Sequence, residues 1–168
     1  MAVIGAGGIG FDVAEYLTHE GHSPSLDPAR WMAEWGVDPT FEARGSRVEP
    51  QPEPPAREVW LLQRSPGRPG ARLARTTGWI HRSALKAKGV QMLGGAEYPG
   101  VDDAGFRIRV DGQDQLLPVD HVVVCAGQEP RRELFDRLRE DAPGLELHLI
   151  GGADVAVELD AKRAIDQG

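Results

Sequence analysis

Short apolar runs, each closed by glycines or charges, set the pattern of this chain. Met1-Ala2-Val3-Ile4 runs directly into Gly5-Ala6-Gly7-Gly8-Ile9-Gly10, after which Phe11, Val13, Ala14 and Leu17 recur at helical spacing. The pattern predicts a strand, a glycine turn and a helix, with Gly21 as its stop. Residues 22 to about 57 interrupt it. Asp27-Pro28 is suited to cap and start a short helix that places Trp31, Met32 and Trp35 on one face and ends at Gly36. Prolines at 50, 52, 54 and 55 then predict an extended linker.

Beyond the linker, Glu58 to Leu62 reads as a second strand and residues 63–73 as a Gly/Pro/Arg loop. Thr76 or Thr77 is placed to cap a helix that runs to Lys88 and stops at Gly89. Val90 to Leu93 is a short third strand. The period then falls to two, and Asp111-Gly112 between alternating runs predicts a hairpin. The run from His121 to Ala126 reads as a parallel strand covered on both faces. A helix at 131–139, a strand at 145–150 and a helix at 154–167 complete the series. Strands alternating with helices predict an α/β fold of Rossmann type, a parallel sheet flanked by helices with an antiparallel β-meander inserted.

Gly5, Gly7 and Gly10 fit the G-x-G-x-x-G dinucleotide fingerprint between a strand and a helix. The first glycine permits the turn, the second lets the backbone approach a pyrophosphate, and the third lets helix and strand pack closely. At the end of the second strand an acid would bind the ribose 2′-hydroxyl of NAD, whereas arginine suits the 2′-phosphate of NADP. Here Arg64 and Arg68 follow Gln63, and no acid lies between Val59 and Gly78. A planar, permanently charged guanidinium matches a phosphate dianion, so the expected ligand is NADPH. A solvated basic loop is the competing reading. Residues 22–57 count as an insertion, because the site position stands roughly 20 residues past the glycines in an uninterrupted unit.

Composition trims the alternatives. The net charge of −7 over 168 residues argues against nucleic acid as the main partner, since backbone binding requires a basic face. Without an apolar run long enough to span a bilayer or a basic leader, the expectation is a cytoplasmic protein. The single cysteine, Cys125, reads as packing, and five scattered histidines show no metal spacing. Asp12 and Glu15 read as the solvated face of the first helix, and Trp31, Trp35 and Trp79 as core or interdomain packing. Asp154 reads equally as a helix N-cap or a ligand contact.

The glycine turn, Gln63-Arg64, the segment Thr76-Thr77-Gly78-Trp79-Ile80-His81-Arg82, the run Cys125 to Pro130 and the tail 151–168 together resemble the C-terminal part of bacterial NADPH-dependent 2,4-dienoyl-CoA reductases. The wider group includes trimethylamine dehydrogenase and related old-yellow-enzyme fusions. The likeness covers nearly the whole chain and implies a fragment, with 1–142 as the NADP(H)-binding domain and 143–168 as a return segment towards an FAD-binding domain. In the intact family enzyme a separate barrel carries FMN, a 4Fe-4S cluster and the substrate. The resemblance places NADPH on Gly5 to Gly10 with Arg64 and Arg68, sets Ala126, Gly127 and Gln128 near nucleotide or flavin, and puts Asp154 on the FAD ribitol. It assigns no catalytic acid or base. An NADH-linked amine dehydrogenase or enoate reductase relative, a pure nucleotide-binding module, and an interaction domain using the proline-rich segment are the alternatives.

Overall fold

The structure, a computed structural model, describes residues 1–157 and 161–168. It forms two compact units, Met1–Ala126 and Gly127–Gly168. In the first unit a parallel sheet is built from β1 (Ala2–Ile4), β2 (Trp60–Leu62), β3 (Gln91–Leu93) and β7 (Val122–Val124), in the order β3-β2-β1-β7. An antiparallel sheet of β4 (Glu97–Asp102), β5 (Gly105–Val110) and β6 (Gln113–Leu117) forms the meander.

Strand side chains alternate between faces, and the core divides accordingly. Val3, Val59 and Leu61 pack with Phe11 and Ala14 of α1 (Gly8–Thr18) and Leu85 of α3 (Gly78–Ala87). On the other face Ala2, Trp60 and Leu62 pack with Phe106, Ile108 and Leu117 of the meander. The parallel sheet is therefore sandwiched between helices and a second sheet. The Asp111-Gly112 turn takes φ of 51° and 76°, the left-handed pair that two-residue hairpins need.

The insertion is built as its sequence predicts. Asp27 Oδ1 accepts from the amides of Ala29 and Arg30, both at 3.1 Å, at the start of α2 (Pro28–Trp35). Gly36 ends α2 with φ of 67°. Asp27→Ala should cost about 1 kcal/mol, read by chemical denaturation. Further along, Asp38 accepts from the Thr40 and Ala43 amides and the Thr40 hydroxyl. The Thr40 hydroxyl first, then these amides, holds its carboxyl below the ordinary value of 3.8. A depressed carboxyl stabilises the fold above its unfolded pKa and loses that contribution as pH falls through the folded one. Asp38→Asn should therefore destabilise at neutral pH, and its gap to wild type should close as acid titration passes below 3.8.

Several expectations are corrected. β7 is parallel to β1 and packs Val123 on one face and Val122 on the other, but it lies at the edge of the described sheet and its coverage is incomplete, with Val124 67% exposed. Residues 145–150 form no strand, because no strand among the described residues pairs with them, and Leu145 and Ile150 are exposed. Of the core or interdomain packing expected for Trp79 and Trp31, only the core reading is overturned, since both stand on the surface; the Trp79 indole donates to the Thr76 carbonyl. Thr77 precedes α3 without a side-chain cap. In the second unit, α4 (Glu133–Asp141) is followed by a 3₁₀ turn at Gly151–Ala153 and by α5 (Ala161–Gln167). Of the helix expected over 154–167, residues 154–157 are not helical, Ala161–Gln167 are, and 158–160 lie outside the described residues. No helix among the described residues is long and apolar enough to cross a membrane.

Candidate functional site

All four parallel strands end in one row. Ile4 lies opposite Leu62 and Val124, and Leu62 opposite Leu93. The next residue of each strand continues the ladder: the Gly5 amide donates to Leu62, Cys125 to Ile4, and Gln63 to Leu93. The glycine turn, the arginine loop and Ala126 therefore meet at the carboxyl edge of the sheet. The chain steps from β1 to β2 and β3 on one side and later returns to β7 on the other, a reversal beside β1 of the kind that opens a ligand crevice.

The three fingerprint glycines are needed for different reasons. Gly5 has φ of 109°, and a Cβ there would stand 2.7 Å from the Cys125 carbonyl oxygen. A Cβ on Gly10 would fall 1.7 Å from the Gly5 carbonyl oxygen, an impossible approach that keeps α1 tight against β1. Around Gly7 nothing lies within 4 Å of such a Cβ. That open ground faces the first turn of α1, where the amides of Gly8, Ile9 and Gly10 have no partner within the helix. Gly7 precedes the helix without a side-chain cap, and no acid occupies the first turn. Ala6 packs on the core below, and Ile9 is half-exposed beside the turn. A pyrophosphate fits this cradle, which offers backbone donors and the positive end of the helix dipole.

Beside it, Arg64 and Arg68 are exposed, and neither guanidinium makes a hydrogen bond or ion pair among the described residues. Burial chiefly raises the Tyr98 phenol, and the positive charge of Arg64 partly offsets that rise. The loop carrying the arginines is fastened at both ends. Gln63 Nε2 donates to the carbonyls of Ser65 (3.0 Å) and Gly67 (3.4 Å). Arg82 Nη1 donates to the Gly70 carbonyl at 2.7 Å, and a Cβ on Gly70 would strike the Phe11 ring. Gly78 similarly leaves room for Leu73. Part of the Thr-Thr-Gly-Trp-Ile-His-Arg segment thus seats the basic loop against α1.

Sequence reasoning missed Gln63 and Arg82 as loop ties. Their position beside the arginines was visible, but their acceptors are set by the loop's three-dimensional path. Glu15 and His81 also depart from expectation: they are half-buried and 3.3 Å apart, linking α1 to α3, with exposed Asp12 completing a cluster whose ligand atoms lie within 4.8 Å of one another. Burial raises the Cys125 thiol, so it stays protonated and suits packing. A cavity of about 390 Å³ lined by Met1, Glu58, Trp60, Asp120 and His121 lies at the opposite, amino ends of the strands.

Gly127, Gln128 and Asp154 lie in the second unit. Gly127 has φ of 80°, and both it and Gln128 are exposed. Asp154 is half-buried, with Oδ1 3.8 Å from Arg132, whose guanidinium also donates to the carbonyls of Ala153 and Asp154. No described amide donates to the Asp154 side chain.

The family model for pyridine nucleotide-disulphide oxidoreductases matches residues 1–161. The chain belongs to this family. It carries the nucleotide-binding fold of FAD- and NAD(P)-dependent oxidoreductases. Among solved structures, a 2-naphthoyl-CoA reductase in complex with 2-naphthoyl-CoA matches 99% of this chain at 18% identity and a TM-score of 0.62. The bacillithiol disulfide reductase Bdr of Staphylococcus aureus matches 80% of it at 13% identity and a TM-score of 0.50. Both likenesses concern the fold. The chain spans 19% of the first protein's length and 30% of the second's. As for the family's name, one cysteine cannot by itself form a disulphide, so dithiol chemistry is not contained within this chain.

Proposed function

We propose that this chain is the NADPH-binding module of a multidomain flavin-dependent oxidoreductase that reduces 2,4-dienoyl-CoA thioesters. The observation that carries the reading is the register of β1 with β2. It sets the open ground at Gly7 and Arg64, whose side chain has no partner among the described residues, on one edge, although 53 residues separate Gly10 from Arg64 in the chain. The amides of Gly8, Ile9 and Gly10 hold the pyrophosphate, and Gly5 and Gly10 keep strand and helix close enough for them to converge. Arg64, with Arg68 behind it, neutralises the 2′-phosphate; an acid there would repel it.

When bound, NADPH supplies a hydride that FAD accepts. The chain orients the donor and contributes no proton-transfer group, so no catalytic residue is assigned. In this reading Ala126, Gly127 and Gln128 border the nucleotide and flavin, Asp154 holds the FAD ribitol, and 143–168 is the return towards an FAD-binding domain. FMN and a 4Fe-4S cluster belong outside this chain, since a single cysteine cannot ligate a cluster. The fold neighbour named for an acyl-CoA thioester substrate supports that substrate class.

Titration of the chain with NADPH and NADH tests the module: tighter NADPH binding supports it, and equal affinity points to NADH-linked amine dehydrogenase or enoate reductase relatives. For the substrate, the flavin-loaded holoprotein carrying this chain should oxidise NADPH on addition of a 2,4-dienoyl-CoA. NADPH binding without any flavin reduction would instead mark a non-catalytic binding module.

A further inference from the structure

We propose that Gln63 is a positioning residue that sets the choice between NADPH and NADH by fixing the loop from which Arg64 reaches the site. The inference rests on the NADPH reading above and concerns a residue with no place in the fingerprint. Gln63 follows β2 directly, and its backbone is held on both sides: its amide donates to Leu93 and its carbonyl accepts from Ala96, each at 3.0 Å. Its side chain therefore starts from a fixed point. From there Nε2 donates to the carbonyls of Ser65 and Gly67, spanning Arg64. The Ser65 carbonyl also accepts from the Gly95 amide at 2.9 Å. Gly94 completes the seat, for a Cβ there would stand 1.9 Å from the Gly67 carbonyl oxygen and would displace it.

Two carbonyls just past Arg64 are thus drawn back towards the side chain just before it and towards the β3–β4 turn, while the Arg64 side chain is left exposed. Without that tie the Ser65 carbonyl keeps the Gly95 amide, but the Gly67 carbonyl loses its one hydrogen-bond donor among the described residues; Gly67 sits at φ of 88° and is itself exposed. A guanidinium on a free loop must be ordered when the phosphate binds, whereas one on a pinned loop is already in place. Gln63 touches neither pyrophosphate donors nor Arg64's charge, so its effect should appear only through the 2′-phosphate.

The test is a double-mutant cycle on the full chain, titrating wild type, Gln63→Met, Arg64→Ala and the double variant with NADPH and with NADH. Methionine keeps the length of glutamine and removes the donors; Gln63→Leu is the second variant should the first not fold. Gln63→Met should weaken NADPH about fivefold, leave NADH unchanged, and weaken NADPH no further once Arg64 is gone. Equal losses for both nucleotides, full additivity with Arg64→Ala, or no effect would overturn the proposal. Wild type without NADPH preference would instead sink the underlying reading, and this inference with it.

Discussion

Replacing Arg64 by alanine should weaken NADPH binding roughly 10- to 100-fold while leaving NADH affinity unchanged. Hydrogen bonds to a charged partner are worth about 1.5–3 kcal/mol. Because Arg64 is exposed, solvent and salt screen part of that value, and the lower half of the range is the better expectation at physiological ionic strength. Arg68 stands four residues on and is also exposed, so its removal should cost less than that of Arg64. Arginine to lysine at 64 should recover only part of the loss, since an ammonium offers a charge without the planar fork. Paired titrations of the two nucleotides at low and moderate salt read all of this. Parallel losses for NADPH and NADH would mean that Arg64 supports the fold rather than the 2′-phosphate.

Two glycines three residues apart should fail in opposite ways. Gly10→Ala forces a methyl to 1.7 Å from the Gly5 carbonyl oxygen, and the obstacle is backbone, which cannot swing aside as a side chain can. Overpacking ordinarily costs about 1–3 kcal/mol, and a clash this deep should meet or exceed the upper end, lowering the melting temperature by roughly 10 °C or more. Gly7→Ala meets nothing within 4 Å, and its extended backbone, φ −87° and ψ −172°, accepts alanine. Its melting temperature should match wild type, yet nucleotide affinity should drop, because the methyl enters the ground where a pyrophosphate must approach the amides. Thermal melts with titrations on both variants separate the two roles. A stable Gly10→Ala variant, or a Gly7→Ala variant that binds normally, would contradict them.

The fold was legible where the signals are local. Gly5 to Gly10, the Asp27-Pro28 start and Gly36 end of α2, and the Asp111-Gly112 hairpin are written in backbone requirements that only a few residue types meet. Features decided by distant neighbours were not legible. Val122 and Val123 pack on opposite faces as the apolar run suggested, but composition did not show that Val124 at the sheet's edge is exposed, and Leu145–Ile150 shows that apolar residues without a partner ladder make no strand. Trp79 carried an expectation of core or interdomain packing; it is not in the core, and its indole is satisfied by the Thr76 carbonyl at the surface. At the candidate site, the glycines and Arg64 were individually readable across the insertion. That they share one edge follows from the pairing of Ile4 with Leu62, which no local spacing specifies. The tie from Gln63 to the Ser65 and Gly67 carbonyls depends on the loop's path and was hidden for the same reason.

The most direct measurement is an amide-resolved NMR titration of the chain with NADP⁺ and with NAD⁺. For both ligands the amides of Gly8, Ile9 and Gly10 should shift first and most, as expected for donors facing a pyrophosphate. The signals of Arg64 and its loop should respond strongly to NADP⁺ alone. Shifts centred on the amino ends of the strands, or a glycine turn silent at saturating NADP⁺, would contradict the account.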